Sequence, residues 1–236
     1  MFKSGPEALG RRIGPFAVFV LGATLFIPAL FGNTCGVATL DQYLSGSQAG
    51  CSLDGYTVDF TQFTAYSVNE AAELLGSADI TVTPTYTASY LSLQFSGAFS
   101  NYTPGSSEEY TFGYLLDPVL PHVSGATVDT GPNDPISLTG EFCGDGVIVS
   151  PTACSAGGSL LSMGVGGNDQ TTGALFPSPV TNLDTELTLV LGPSESVQYF
   201  GSTATLTATP EPSTLWLTPG LLGLAWLRKK WLAKDR

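Results

Sequence analysis

Three pairs of carboxylates lie close together in this sequence: Glu70 with Glu73, Glu108 with Glu109, and Asp184 with Glu186. Two carboxyl groups flanking one glycosidic bond supply the acid and the base or nucleophile of glycoside hydrolysis, so such pairs raise that chemistry. At helical spacing the first pair shares a face, and on a strand the last pair points to one side. Glycosidase carboxylates usually come from separate elements, so nearness in sequence assigns no catalytic role, and solvated surface charge accounts for each pair. His122 is the only histidine and follows Pro121 beside a turn. A Ser–His–Asp triad would have to use it, yet no Gly-x-Ser-x-Gly elbow occurs. Hard oxygen ligands for calcium are offered by Asp129, Asn133 and Asp134, and by Asn168 and Asp169, in glycine-rich loops. Neither set follows the EF-hand or the calcium-binding nonapeptide pattern. The expectation is no catalytic residue and no resident cofactor, with calcium as the one cation these loops could take.

The four cysteines form two near pairs, Cys35 with Cys51 and Cys143 with Cys154. Zinc sites use C-x₂₋₄-C spacing, which neither pair has. Two local disulfides are expected, each closing a loop of roughly 12–17 residues and contributing about 3 kcal/mol in the chain-entropy view.

Charge divides the chain sharply. All eight basic residues lie at its tips: Lys3, Arg11 and Arg12 at one, and Arg228, Lys229, Lys230, Lys234 and Arg236 at the other. Of the 20 acidic residues, 18 lie between Ile13 and Leu227, where there is no Lys or Arg. Phosphate backbones need cationic side chains, so nucleic acid is excluded as a partner of this central part. Its carboxylates must be solvated, accept hydrogen bonds or share divalent cations.

Each basic tip adjoins an apolar run. Residues 1–33 read as a signal peptide with Lys3, Arg11 and Arg12 ahead of the apolar run Phe16–Phe31, and Pro28 breaks its helix near the end. Ala29 and Gly32 are the small residues that could precede the signal peptidase cut. Residues 210–236 hold Pro210-Glu211-Pro212, the apolar run Leu215–Leu227 and the basic stop Arg228-Lys229-Lys230. Thirteen helical residues span about 20 Å, short of a hydrocarbon core of about 30 Å, and snorkelling basic side chains close much of that gap. Trp216 and Trp226 sit where interfacial anchors do, and the basic tail would stay on the cytoplasmic side.

This tail resembles the PEP-CTERM sorting signal of Gram-negative bacteria that make exopolysaccharide. The resemblance covers Pro210–Arg236; Pro219 within the apolar run and Trp231-Leu232 beyond the stop depart from the pattern. It implies recognition of Pro210, Glu211 and Pro212 by a membrane-embedded cysteine protease, exosortase, with transient anchoring and then release to the cell surface or outside. A plain anchor that is never cut is the alternative. The block Cys35…Thr39-Leu40-Asp41-Gln42-Tyr43…Cys51…Phe60…Phe63…Tyr66 also resembles one common in PEP-CTERM passengers, where it carries no known chemistry.

The passenger, residues 34–209, reads as strands. β-branched and aromatic residues recur at Tyr56–Phe63, Ile80–Tyr86, Tyr90–Phe95, Tyr110–Leu116, Ala126–Asp129, Ile136–Phe142, Val147–Ser150, Leu160–Val165, Thr185–Leu191 and Val197–Thr207. One short helix is expected at Asn69–Leu75, with Asn69 as its cap. Strands at this spacing predict an all-β fold, a single β-sandwich with a jelly roll as one form of it, flanked by the signal helix and the C-terminal transmembrane helix. The expected protein is exported and non-enzymatic, associating with glycan or matrix such as exopolysaccharide. The rival is an extracellular polysaccharide hydrolase.

Overall fold

A computed structural model describes residues 33–207 apart from 69–72, 119–121, 132–135, 151, 156 and 167–169. In chain order its first elements are β1 (Ala38–Thr39), α1 (Leu40–Leu44), β2 (Cys51–Leu53), β3 (Tyr56–Ser67), β4 (Thr81–Thr87), β5 (Tyr90–Asn101), β6 (Glu108–Pro118) and β7 (Val123–Thr130). There follow β8 (Ser137–Gly144), β9 (Ile148–Ser150), β10 (Ala153–Cys154), β11 (Ser159–Gly166), β12 (Thr171–Val180), β13 (Leu183–Leu191) and β14 (Glu195–Leu206).

The strands form two six-stranded sheets. The front sheet has the order β11-β8-β13-β6-β3-β2 and the back sheet β1-β4-β5-β14-β7-β12, while β9 and β10 form a small ribbon of their own. Four antiparallel pairs are nested in sequence: β5 with β14, β6 with β13, β7 with β12 and β8 with β11. A long antiparallel ribbon that curls so that alternate pairs fall in opposite sheets produces this order. It is the pairing of a jelly-roll sandwich.

Alternation drives the layering. In β13, Leu183, Leu187, Leu189 and Leu191 are buried while Asp184, Glu186 and Thr188 face the other way. Gly192-Pro193-Ser194 then carries the chain from the front sheet to the back, so this turn is a corner between sheets. Between the sheets Phe95, Phe99, Phe112 and Phe200 are fully buried, with Phe95 stacked on Phe200 at 5.3 Å and 4.9 Å from Phe112. Aromatic pairs of this kind add about 0.5–1.5 kcal/mol each beyond area burial.

All ten expected strands are present, several of them longer than expected. β12 was not expected, because Gly173, Pro177 and Pro179 argue against a strand. It lies at the sheet's edge, where a missing N–H breaks no ladder, and its register shifts between Leu175 and Val180. The expected helix at Asn69–Leu75 is corrected in part: residues 69–72 lie outside the described residues, and Glu73, Leu74 and Leu75 are not helical. The Leu75 N–H instead donates to the Tyr110 hydroxyl at 3.3 Å. An unexpected helix, α1, occupies the block between the first two cysteines. Its Tyr43 is fully buried, donates its hydroxyl to the Gly36 carbonyl at 2.7 Å and sets its ring edge-on to Phe60 at 5.1 Å.

Both expected disulfides are formed. Cys35–Cys51 ties the segment before β1 to β2, and Cys143–Cys154 ties β8 to β10. Residues 1–32 and 208–236 lie outside the described residues, and with them the signal peptide, Pro210, Glu211, Pro212, Arg228, Lys229, Lys230 and the expected transmembrane helix. Among the described residues no helix is long and apolar enough to cross a membrane.

Candidate functional site

The outer face of the front sheet carries a row of side chains drawn from five strands. Register places Ser162 of β11 opposite Glu141 of β8, Glu141 opposite Glu186 of β13, Glu186 opposite Gly113 of β6, and Gly113 opposite Gln62 of β3. Ser162, Glu141, Glu186 and Gly113 each have inward-facing neighbours in the core, so they face outward by alternation, and Gln62 is exposed beside them.

Gly113 opens a gap in this row. A Cβ there would meet Gln62 Cγ at 2.6 Å and Thr61 Oγ1 at 2.8 Å. Gln62 Nε2 reaches across the gap and donates to Glu186 Oε2 at 2.9 Å. A bulge between Phe60 and Gln62 leaves Thr61 unpaired, so Thr61 and Gln62 both reach the outer surface. The result is an open trough of about 190 Å³, floored by Gly113 and Leu115 and walled by Thr61, Gln62, Ile148, Asp184 and Glu186.

The carboxylates in and beside this trough are held by neutral donors. The Ser162 hydroxyl donates to Glu141 Oε1 at 2.7 Å, and the Ile148 N–H to Asp184 Oδ2 at 2.8 Å. Glu141 Oε2 is shielded from solvent and has no hydrogen-bond partner. Glu141 and Glu186 face each other on adjacent strands, where directly opposed Cβ atoms are about 4.5–5.5 Å apart and like charges repel. No Lys or Arg exists between Ile13 and Leu227 to offset them. Chemically, the arrangement is a set of oriented hydrogen-bond acceptors beside one amide donor and one hydroxyl.

The expected pairs fare differently. Asp184 and Glu186 do share one side of β13 and both line the trough. Glu108 and Glu109 separate: Glu109 is exposed, whereas Glu108 is 2 % exposed and accepts from the Tyr110 hydroxyl at 2.9 Å. Burial pushes the Glu108 carboxyl above its ordinary value, and that hydrogen bond offsets the shift only in part. Glu70 lies outside the described residues. Glu73 lines a second hollow with Asp79, Tyr102 and Glu108.

His122 is half-buried, and its carbonyl accepts from Thr207 N at 2.8 Å and Thr207 Oγ1 at 3.0 Å. Of the calcium candidates, Asp129 lies on β7, while Asn133, Asp134, Asn168 and Asp169 fall outside the described residues. Among the described residues no group of three or more His, Cys, Asp or Glu is gathered for a metal ion. Sequence reasoning missed Gln62, Gly113, Glu141 and Ser162. The outward phase of each was readable from alternation, but their juxtaposition depends on register between distant strands.

No family model matches this chain, and no curated protein matches it. Among solved structures it is similar to TmCBM61, determined in complex with β-1,4-galactotriose, at 6% identity over 62% of this chain and 87% of that one, with a TM-score of 0.28. It is also similar to the family 11 carbohydrate-binding module from Clostridium thermocellum, in complex with a β-1,3-1,4-mixed-linked tetrasaccharide, at 9% identity over 75% and 98%, with a TM-score of 0.27. A third likeness is the enzymatically active domain of bacteriophage CBA120 tailspike protein 4, at 13% identity over 65% and 20%, with a TM-score of 0.26. At such identities and TM-scores these likenesses assign neither a ligand nor an activity to this chain.

Proposed function

We propose that this protein is a non-enzymatic component of the cell envelope or extracellular matrix that associates with glycan through the front-sheet trough. The observation that carries the reading is how Glu186 and Asp184, which both line the trough, are held. The Gln62 amide and the Ile148 N–H orient them without neutralising them, which leaves acceptor positions for whatever enters the trough. Sugar hydroxyls are the matching donors, and an uncharged or weakly charged glycan avoids the repulsion a polyanion would meet. Export through a signal peptidase and an exosortase acting at Pro210, Glu211 and Pro212 completes the reading. Two disulfides in a chain without free thiols among the described residues support an oxidising compartment.

The rival hydrolase reading rests on Glu141 and Glu186 facing one another across adjacent strands. Affinity electrophoresis in soluble neutral polysaccharide, run beside an assay for released reducing ends, separates the two. Binding without turnover, weakened in both Gly113→Val and Glu186→Gln, is the expected result. Turnover that disappears in both Glu141→Gln and Glu186→Gln would replace the binding reading with the hydrolase.

A further inference from the structure

The two outer faces of the sandwich differ in charge. The front sheet's outer face carries Asp59, Glu109, Glu141, Asp184 and Glu186. On the back sheet the central outward row is Thr85, Ser92, Thr203, Thr127 and Gly173, one residue from each of β4, β5, β14, β7 and β12. The row on one side of it includes Tyr90 and Leu175, which are 37% and 72% exposed. The row on the other side includes Asp129, the one charged residue of the three rows, and burial raises its carboxyl above the ordinary range. Threonine fills seven of the fifteen positions in these rows, and each row contains one glycine.

Three hydroxyls of the central row are tied down. Thr203 Oγ1 donates to Ser92 Oγ at 3.0 Å, Ser92 Oγ to the Ser202 carbonyl at 3.3 Å, and Thr127 Oγ1 to the Thr203 carbonyl at 3.4 Å. With their protons directed into the sheet, the oxygens keep free lone pairs and the threonine methyls stand among them. The pitch of the array is that of the sheet, about 4.8 Å between strands and about 6.8 Å between alternate residues. The side chains are short and lose little freedom when covered, which lowers the cost of binding.

We propose that the back sheet's outer face is a second binding surface, and that its occupant is the face of an uncharged, extended polysaccharide. Charge selects this occupant. A polyuronate or sulfated glycan finds no Lys or Arg between Ile13 and Leu227 and is repelled by a protein of net charge −12. A neutral chain offers hydroxyl donors for the free lone pairs and C–H faces for the methyls, Tyr90 and Leu175. The proposal rests on the glycan reading and extends it, since two opposed faces would let one molecule bridge two chains.

The test uses the full chain in mild detergent, adsorbed to cellulose and, for comparison, to calcium-free alginate gel. The trough is blocked first with Gly113→Val, and folding is checked by circular dichroism. Retention on cellulose should survive this change, resist added salt, and fall at least tenfold on adding Thr85→Glu, an exposed site, or Thr203→Glu. Alginate should retain none of these proteins. If Gly113→Val alone releases the protein from cellulose, the trough is the whole site and the second surface is overturned while the glycan reading stands. If wild-type protein binds soluble glycan but never cellulose, the second surface is again overturned. Binding of wild-type protein to no glycan removes both readings. If Thr85→Glu dissociates a dimer without changing retention, the face belongs to a second copy instead.

Discussion

The hydroxyl of Tyr114, on β6 of the front sheet, is hydrogen-bonded to the hydroxyl of Ser202, on β14 of the back sheet, so the two layers are joined by a polar contact between them. Both residues are 2 % exposed, and burial raises the Tyr114 phenol to about 12. Removing either partner strands the other away from water. Tyr114→Phe and Ser202→Ala should each lower stability by about 1–3 kcal/mol, and the double variant by less than their sum. Denaturant titration of the four proteins gives the coupling directly; simple additivity would mean that the contact contributes nothing.

Glu108 sets a pH dependence of definite sign. Its folded-state carboxyl lies above the ordinary glutamate value of about 4.3 because it is buried. Between these two values the folded protein keeps a proton that the unfolded chain releases, so stability falls as pH climbs through the window. Glu108→Gln retains an oxygen for the Tyr110 hydroxyl and has no charge to bury. Thermal unfolding should show the variant more stable than wild type at pH 7, with the advantage vanishing below about pH 4. An advantage that grows toward acid would reverse the assignment.

The Cys35–Cys51 disulfide closes a sequence separation of 16 residues around α1, whose Leu40 and Tyr43 are fully buried. Replacing both cysteines by alanine should cost about 3 kcal/mol. Because α1 docks on Phe60, part of that loss should appear as early amide exchange in residues 39–44 rather than as uniform destabilisation. Exchange that stays as slow as in the core would show that α1 is held without the crosslink.

Processing has a spectroscopic signature. All three tryptophans, Trp216, Trp226 and Trp231, lie in the expected sorting tail, and no trypsin site lies between Ile13 and Leu227. Protein released from cells should therefore show tyrosine emission alone and should survive trypsin even when unfolded and reduced. Tryptophan emission in released material would mean that the tail is kept. Intact mass then fixes both cut positions.

Much of this architecture is a local matter. Ten strands were readable because β-branched and aromatic residues cluster between turn residues. The alternating leucines of β13 announced which side would be buried, and cysteine spacing announced both crosslinks. The expectation of export rests on the basic tips and the Pro-Glu-Pro tail alone, with no reference to the fold. β12 was hidden because its prolines are acceptable only at a sheet edge, and edge position is a property of the assembled sheet.

What the chain order alone leaves open is which strands become neighbours, and at what offset. Ser162, Glu141, Glu186, Gly113 and Gln62 are drawn from a stretch whose ends, Gln62 and Glu186, lie 124 residues apart, and nothing near any of them in sequence names the others. The rolled pairing of β11, β8, β13, β6 and β3 brings them into one row, and the bulge at Thr61 turns Gln62 toward Glu186. Strand composition follows from local propensity, whereas register follows from burying every apolar side at once. A slip of one residue would send these polar groups into the core and the phenylalanines into water, and that cost is what selects the observed alignment.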